Sequence, residues 1–400
     1  MTTPFRRITD IGPVYGKRVL VRVDFNVPID AATGEITDDS RIQGSLPTLD
    51  ALVEQGARVI AVSHRGRPKG PSAKDSLAPV VAYLQKLRTY PVKLTGEARS
   101  DEAVQAVEAL QPGELLVLEN LRFDPGETAN DPELARRLAS FADLYVNDAF
   151  GTSHRQHASI VGVPKYLPAY AGELMAEELD HLDRVLAHPT RPYWAIIGGA
   201  KVSDKVKLLS RLLELVDGII IGGGMANTFL AAQGYSMGAS LVEEGVIPEA
   251  TRLLEQAQAK GVTVVLPKDV LVAKEFRADT PYRAALVTDI HADEMALDIG
   301  PRTVETIIAA LQPAQTVLWN GPMGVFEFEA FAQGTIQVAQ ALAALNVSVV
   351  VGGGDSVAAV SKAGVKDKMT HISTGGGATL RYLEGEELPG IQALRQPAEA

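Results

Sequence analysis

Arg41, His64, Arg67, Arg122 and Arg155 each lie just past an apolar, β-branched run or open the helical pattern that follows one. Arginine is the side chain suited to bidentate contacts with carboxylate and phosphate. Asp24 and Asn26 lie two apart in Val21-Arg22-Val23-Asp24-Phe25-Asn26-Val27-Pro28, so they share one face of an extended chain. Several arginines, a histidine and an Asp/Asn pair suit a small, multiply anionic molecule that bears hydroxyls. Each residue also has a plainer reading. Asp and Asn favour strand ends as turn formers, and Ser63-His64-Arg65-Gly66-Arg67-Pro68-Lys69-Gly70 could be a solvated basic loop. Arg41 is harder to dismiss, because the first turn of a helix disfavours a cation unless an anion is to be met there. His64, His154 and His157 have no carboxylate at metal-ligand spacing, so zinc is not expected.

A second group of motifs is rich in glycine instead of arginine. Five apolar strands end in glycine turns: Gly198-Gly199, Gly222-Gly223-Gly224, Asn320-Gly321-Pro322-Met323-Gly324, Gly352-Gly353-Gly354-Asp355-Ser356 and Gly375-Gly376-Gly377. Glycine lets a backbone lie against a ligand, and free N–H groups at a helix start favour anions. One such turn is weak evidence, whereas five in one half of a chain point to a nucleotide phosphate site. Asp355 can hold a divalent cation that a phosphate would bring. Lys201 and Lys205, four apart at what reads as a helix start, would share a face and reach toward phosphates. Neither G-x-x-x-x-G-K-[ST] nor a strand–helix G-x-G-x-x-G occurs, so a P-loop or a dinucleotide Rossmann site is unsupported.

The elements that must position these residues alternate. Strands are expected from Lys17, over Arg58–Val62, Leu115–Leu118 and Leu144–Val146, with a helix opened by Asp38-Asp39-Ser40-Arg41 and others near 76–88, 101–110 and 132–141. That alternation means a doubly wound, mostly parallel sheet, and open α/β sheets bind ligands at the carboxyl ends of their strands. Arg41, His64, Arg67, Arg122 and Arg155 could therefore converge on one edge. Ala171–Ala187 has an unbroken helical pattern closed by His188-Pro189-Thr190-Arg191-Pro192, a natural link between two lobes. The chain is expected to divide into residues 1–170, a connecting helix at 171–188, and residues 189–384.

Four hundred residues exceed what one core usually serves. The chain is 46% hydrophobic and 22% charged, has no cysteine, and carries a net charge of −11. General nucleic-acid binding is not expected from that charge. No apolar run approaches the roughly 20 residues of a membrane span, and Met1–Arg7 lacks the apolar core of a signal peptide, so a cytoplasmic protein is expected. Residues 1–170 hold 20 Lys+Arg and 21 Asp+Glu, against 18 and 28 in residues 171–400. An anion is therefore more easily met in the first half.

The stretches VRVDFNVP (21–28), SHRGRP (63–68), LENLRF (118–123), NDAFGTSHRQHAS (147–159), IIGGAKVSDK (196–205), IIGGGMANTFL (220–230), WNGPMGVFE (319–327), VVGGGDS (350–356) and HISTGGGATL (371–380) run nearly end to end. In that order they resemble the phosphoglycerate kinase family. The resemblance implies two Rossmann-like parallel-sheet domains joined by a helix hinge, and reversible Mg²⁺-dependent phosphoryl transfer between 1,3-bisphosphoglycerate and ADP in glycolysis and gluconeogenesis. It implies a phosphoglycerate site at Asp24, Asn26, Arg41, His64, Arg65, Gly66, Arg67, Arg122 and Arg155. It implies a nucleotide site at Lys201, Lys205, Ala296, Asn320, Glu327, Gly353, Gly354, Asp355 and Ser356, with Asp355 on Mg²⁺. Arg41, Lys201, Gly375 and Gly376 would assist the transfer itself. Members are usually monomers whose C-terminal tail, here 385–400, packs on the first domain. Arg65 and Ala296 depart from the family's usual apolar residue and glycine. Two other readings stay open on the residues alone: a hinged, non-catalytic binding protein for an anionic metabolite, and a kinase for a different carboxylate.

Overall fold

The structure is a computed structural model and describes residues 5–395. Its contacts divide the chain into two units. One runs through Asp180 and resumes at Glu387; the other is His181–Glu386. The division falls inside the helix Glu173–Ala187, whereas the sequence pattern set that helix whole between two lobes.

The first unit is built on six parallel strands: β1 (Arg18–Arg22), β2 (Arg58–Val62), β3 (Val92–Leu94), β4 (Leu115–Val117), β5 (Leu144–Asn147) and β6 (Ala169–Ala171). Their order is β3-β4-β2-β1-β5-β6, with Leu20 opposite Ile60 on one side and Tyr145 on the other. A parallel sheet covered on both faces buries both sets of side chains. Val19, Leu20 and Val21 are all fully buried, as both faces of β1 are covered. Arg22, at its end, is equally buried. The crossover helices start where their caps predict. The Ser100 hydroxyl accepts from the Ala103 N–H to open Asp101–Ala109, and the Asp131 carboxylate accepts from Glu133 N–H to open Pro132–Ala139. The short strands β3 and β6 were not legible as strands. Pro389–Arg395 forms a helix in this unit. Its Gly390 N–H donates to Ser153 O at 2.8 Å, and Ile391 and Leu394 are buried. Of the expected tail, 396–400 lies outside the described residues.

The second unit repeats the plan with β7 (Tyr193–Ile197), β8 (Gly218–Ile221), β9 (Thr263–Val265), β10 (Asp269–Ala273), β11 (Tyr282–Leu286), β12 (Met295–Ile299), β13 (Thr316–Asn320), β14 (Ser348–Val351) and β15 (His371–Ile372). Six of these form a parallel sheet ordered β15-β14-β13-β7-β8-β9. The other three form an antiparallel sheet ordered β11-β10-β12, which the sequence reading did not anticipate. The core of the parallel sheet is built from Ile196, Val317, Trp319, Val349 and Val351 with the helices over it. Its strands end at the glycine turns, and those ends carry the second group of motifs.

Candidate functional site

At the carboxyl edge of the first sheet, Arg41 and Arg122 are held by short-range contacts. Arg41 opens the helix Ser40–Glu54. Its Nη1 donates to Asn26 O at 3.0 Å and lies 3.1 Å from the Asp24 carboxylate. The Asn26 side-chain oxygen accepts from Gly66 N–H at 2.9 Å, and Gly66 O accepts from Arg122 Nη1 at 2.6 Å. Gly66 thus ties three of the expected residues together through its backbone. Asp24 and Asn26 shape this edge as much as they line it. Arg67 and Arg155 are exposed.

The electrostatics show one neighbourhood. Burial lowers the Arg122 guanidinium's proton affinity, and Arg22, Arg155 and Arg67 push the same way. Burial also holds His64 well below the ordinary imidazole range, reinforced by Arg22, Arg122, Arg41 and His157. His157 is lowered to about 4, by burial first and then by Arg122, Arg22 and Arg155. Mutual repulsion among clustered cations is what a bound anion would relieve.

Arg65 is engaged differently: its guanidinium donates to the carbonyls of Lys74 and Ser76 and staples the loop. Asn120 is a residue that motif reading passed over. Its side-chain oxygen accepts from the N–H groups of Arg65 and Arg122, and its amide nitrogen donates to Arg65 O and Asp75 O. A fully buried Arg22 also went unnoticed, because a charged residue inside a strand pattern reads as its solvent face.

In the second unit a cavity of about 570 Å³ is lined by Gly224, Leu241, Ala296, Glu327, Phe328 and Asp355, among others. Its walls are largely apolar and carry carboxylates at Glu327 and Asp355, both exposed. A larger groove of about 780 Å³ in the first unit, around Thr95, Glu97 and Phe123, holds none of the expected residues. It is more open, and chemistry favours the smaller cavity.

The glycine turns are not alike. A Cβ on Gly198 would meet Pro322 O at 1.9 Å, and one on Gly321 would meet Gly198 O at 2.1 Å. These glycines let two loops pack backbone against backbone. Gly353, at φ +92°, turns the chain into the helix Gly354–Lys362, and a Cβ on Gly354 or Gly376 would meet nothing within 4 Å. These later turns, with Gly199 in the first, leave backbone open to a ligand.

Lys201 and Lys205 do not share a helical face: the helix begins at Val206 and Lys205 is its cap residue. Lys201 is exposed; Lys205 is half-buried and donates to the Asn320 side-chain oxygen. Burial lowers the Lys205 ammonium's affinity for its proton, partly offset by Asp355, Glu384 and Asp204. Asn320, itself buried, donates to Gly352 O at 2.8 Å. The buried Ser356 hydroxyl accepts from Gly321 N–H at 2.6 Å and donates to the same carbonyl at 2.9 Å. Asn320 and Ser356 therefore hold the turn from beneath. Ala296, on β12, donates its N–H to the Ser240 hydroxyl at 2.9 Å and lines the cavity wall. Gly375 N–H donates to the Ser373 hydroxyl, which pairs with Thr379 at 2.5 Å. Asp298, unnoticed in the sequence, lines the same cavity, accepts from Gly334 N–H at 2.8 Å, and is raised by burial to about 7.

Residues 8–386 match the family model described as phosphoglycerate kinase. The chain is 56% identical over 381 residues to a phosphoglycerate kinase of Moorella thermoacetica, covering 95% of this chain and 96% of that one. It is 53% identical over 380 residues to one of Herpetosiphon aurantiacus, with the same coverage. The solved phosphoglycerate kinase of Coxiella burnetii superposes with a TM-score of 0.90 at 43% identity, covering 98% of this chain and 99% of that chain. The enzyme from Pyrococcus horikoshii does so with 0.79 at 32%, covering 97% and 98%.

Proposed function

The chain belongs to the phosphoglycerate kinase family, and on that footing we propose how its residues carry the glycolytic phosphoryl transfer between 1,3-bisphosphoglycerate and ADP. The arginine edge takes the phosphoglycerate: Arg41, Arg67, Arg122 and Arg155 meet its anionic groups, His64 donates to it, and Asp24, Asn26 and Gly66 set the loop geometry. The single observation that carries this reading is the set of cations at one strand edge whose mutual repulsion an anion would relieve.

The second unit's cavity takes the nucleotide, with the base against Ala296 and Leu241, and Lys205, Glu327, Gly353 and Gly354 nearer the ribose and phosphates. Mg²⁺ fits here. Asp355 is an exposed carboxylate at the cavity, a hard oxygen donor of the kind that shares this ion with phosphate and water. When bound, the ion would neutralise phosphate charge.

Phosphoryl transfer asks a protein mainly for positioning and charge stabilisation. No side-chain nucleophile is needed, because the substrate carboxylate or the ADP oxygen attacks in line. Arg41 and Lys201, with the N–H group of Gly376, stabilise the group in flight, while Gly375, its N–H held by the Ser373 hydroxyl, shapes the turn. Reacting atoms must come within roughly 3–3.5 Å, and closure about the connecting helix is the movement proposed to achieve it. A cytoplasmic monomer is the proposed form; among the described residues no helix is long and apolar enough to cross a membrane.

A coupled assay with ATP, Mg²⁺ and 3-phosphoglycerate tests the reading. Turnover that requires all three supports it. Activity with another carboxylate in place of 3-phosphoglycerate would give the site a different substrate, and binding without turnover would make the chain a binding protein.

A further inference from the structure

Behind the arginine edge lies a chain of buried polar groups that no substrate can reach. The Arg22 guanidinium is 0% exposed. Its Nε donates to the Ser159 hydroxyl at 2.9 Å, one Nη donates to Val23 O, and the other lies 3.1 Å from His64 Nδ1. The Ser159 hydroxyl in turn donates to Glu127 Oε1 at 2.6 Å, and Ser159 N–H donates to Glu127 Oε2 at 2.9 Å. Glu127 is also 0% exposed, and His157 Nδ1 lies 3.8 Å from it. Tyr145 closes the cluster by donating to Ser159 O at 2.7 Å.

The chemistry of these partners dictates a protonation state. A guanidinium has donors only and stays charged. His64 Nδ1 must therefore accept, and the proton of a neutral ring must sit on Nε2. A doubly protonated ring would place N–H against N–H. The charged groups facing His64 are Arg22, Arg122 and Arg41, with the His157 ring beside them, and all oppose a further proton. Glu127 supplies Arg22's buried counter-charge, relayed by one hydroxyl. Without it a buried guanidinium would be strongly disfavoured.

We infer that Arg22, backed by Ser159 and Glu127, is a positioning residue that locks His64 as the neutral Nε2–H tautomer, so that the ring offers the substrate one fixed donor. This rests on the proposed phosphoglycerate site, but the tautomer can be read without any ligand. The consequence is functional: recognition by His64 is a hydrogen bond of constant direction, indifferent to pH through the neutral range, while the arginines supply the charge.

The test is ¹⁵N NMR of histidine-labelled full-length protein, ligand-free. His64 is expected to show a protonated Nε2, an unprotonated Nδ1, and no imidazolium at its ordinary value of about 6.5. Arg22→Met should release the ring to a mixture of tautomers that protonates at a higher pH than in the unaltered protein, burial still holding it below its ordinary value. Ser159→Ala retains the guanidinium but frees its Nε, and should shift the same signals less. In both variants KM for 3-phosphoglycerate should rise about five- to tenfold, with kcat within about twofold, the size of one misplaced hydrogen bond. An Nδ1–H tautomer in the unaltered protein overturns the inference, as do unchanged His64 signals in folded Ser159→Ala. Shifted signals with an unchanged KM overturn the positioning role. Failure of the unaltered protein to bind 3-phosphoglycerate overturns the functional reading instead, and leaves the tautomer measurement standing.

Discussion

The edge of the first unit's sheet confronts solvent with side chains, whereas the edge of the second confronts it with backbone. On the first, cations stand at or near strand ends, and three of them are held: Arg41 by Asp24, Arg122 by Gly66 O, and Arg22 by Glu127 through Ser159. On the second, glycines bring loops to within contact of one another, and Asn320 and Ser356 tie the Gly352 carbonyl down. Charge explains the division. Residues 171–400 carry 28 acidic against 18 basic side chains, a poor field for a bare anion. In the proposed reading a nucleotide would be met there by oriented N–H groups, a lysine and a carboxylate suited to Mg²⁺, and the compact acid by arginines. A side-chain site stores repulsion in its empty state; a backbone site stores close packing.

That contrast can be broken from either side. Arg41→Ala should have the largest effect, a loss in kcat on the order of 10³-fold with a much smaller rise in KM, read by steady-state kinetics. Near-normal turnover in the folded variant would remove Arg41 from the transfer step. Gly198→Ala comes next, and acts on the fold. Its new methyl would collide with Pro322 O, so denaturant unfolding should show a loss of about 3 kcal/mol or more. Gly354→Ala, with open space around it, should cost less than about 1 kcal/mol and show mainly as weaker nucleotide binding. Asp355→Asn should weaken ADP binding roughly ten- to a hundredfold, the scale of a lost charged contact, and only when Mg²⁺ is present. An unchanged Mg²⁺ dependence of ADP affinity would count against the metal site.

A pair of buried carboxyls sharpens the comparison further. Asp148, beneath the first edge, and Asp298, beneath the second, are each raised by burial to about 7. In the unfolded chain both would titrate near 4. Between about pH 4 and 7 the folded state keeps protons that the unfolded state has released. Stability from these groups is therefore full below pH 4 and falls as pH rises to 7, by up to about 1.4 kcal/mol per pH unit for each. Asp148→Asn and Asp298→Asn should each flatten that slope in unfolding measurements across the window. The smallest effect belongs to Arg65→Ala. Because Arg65 is engaged by Lys74 O and Ser76 O, KM for 3-phosphoglycerate should move less than about twofold.

Much of this was legible in the sequence, and the physical reasons separate what was from what was not. The alternation of β-branched runs with helical periods marked β1, β2, β4 and β5 of the first sheet, since parallel strands buried on both faces are continuous apolar runs. The three-residue β3 and β6 carry too little pattern. Strand-end position brought Arg41, His64, Arg67, Arg122 and Arg155 to one edge, because topology alone dictates where parallel strands end. Arg22, Asn120 and Glu127 were invisible for the opposite reason: their roles depend on burial and on partners up to 137 residues away, as between Arg22 and Ser159. Glycine turns were visible as turns, but not which glycines serve packing and which stay open. The difference lies in what a Cβ would strike, and spacing cannot reveal that. The lysine pair failed because a helix start was placed four residues early.

The central claim is that the two edges divide the ligands, the arginine edge taking the acid and the glycine edge the nucleotide. Calorimetric titration of 3-phosphoglycerate and of MgADP into Arg67→Met and Asp355→Asn tests it directly. Arg67→Met should lose affinity for 3-phosphoglycerate about tenfold or more and bind MgADP as before, and Asp355→Asn should do the reverse. Equal weakening of both ligands by either substitution would contradict the division.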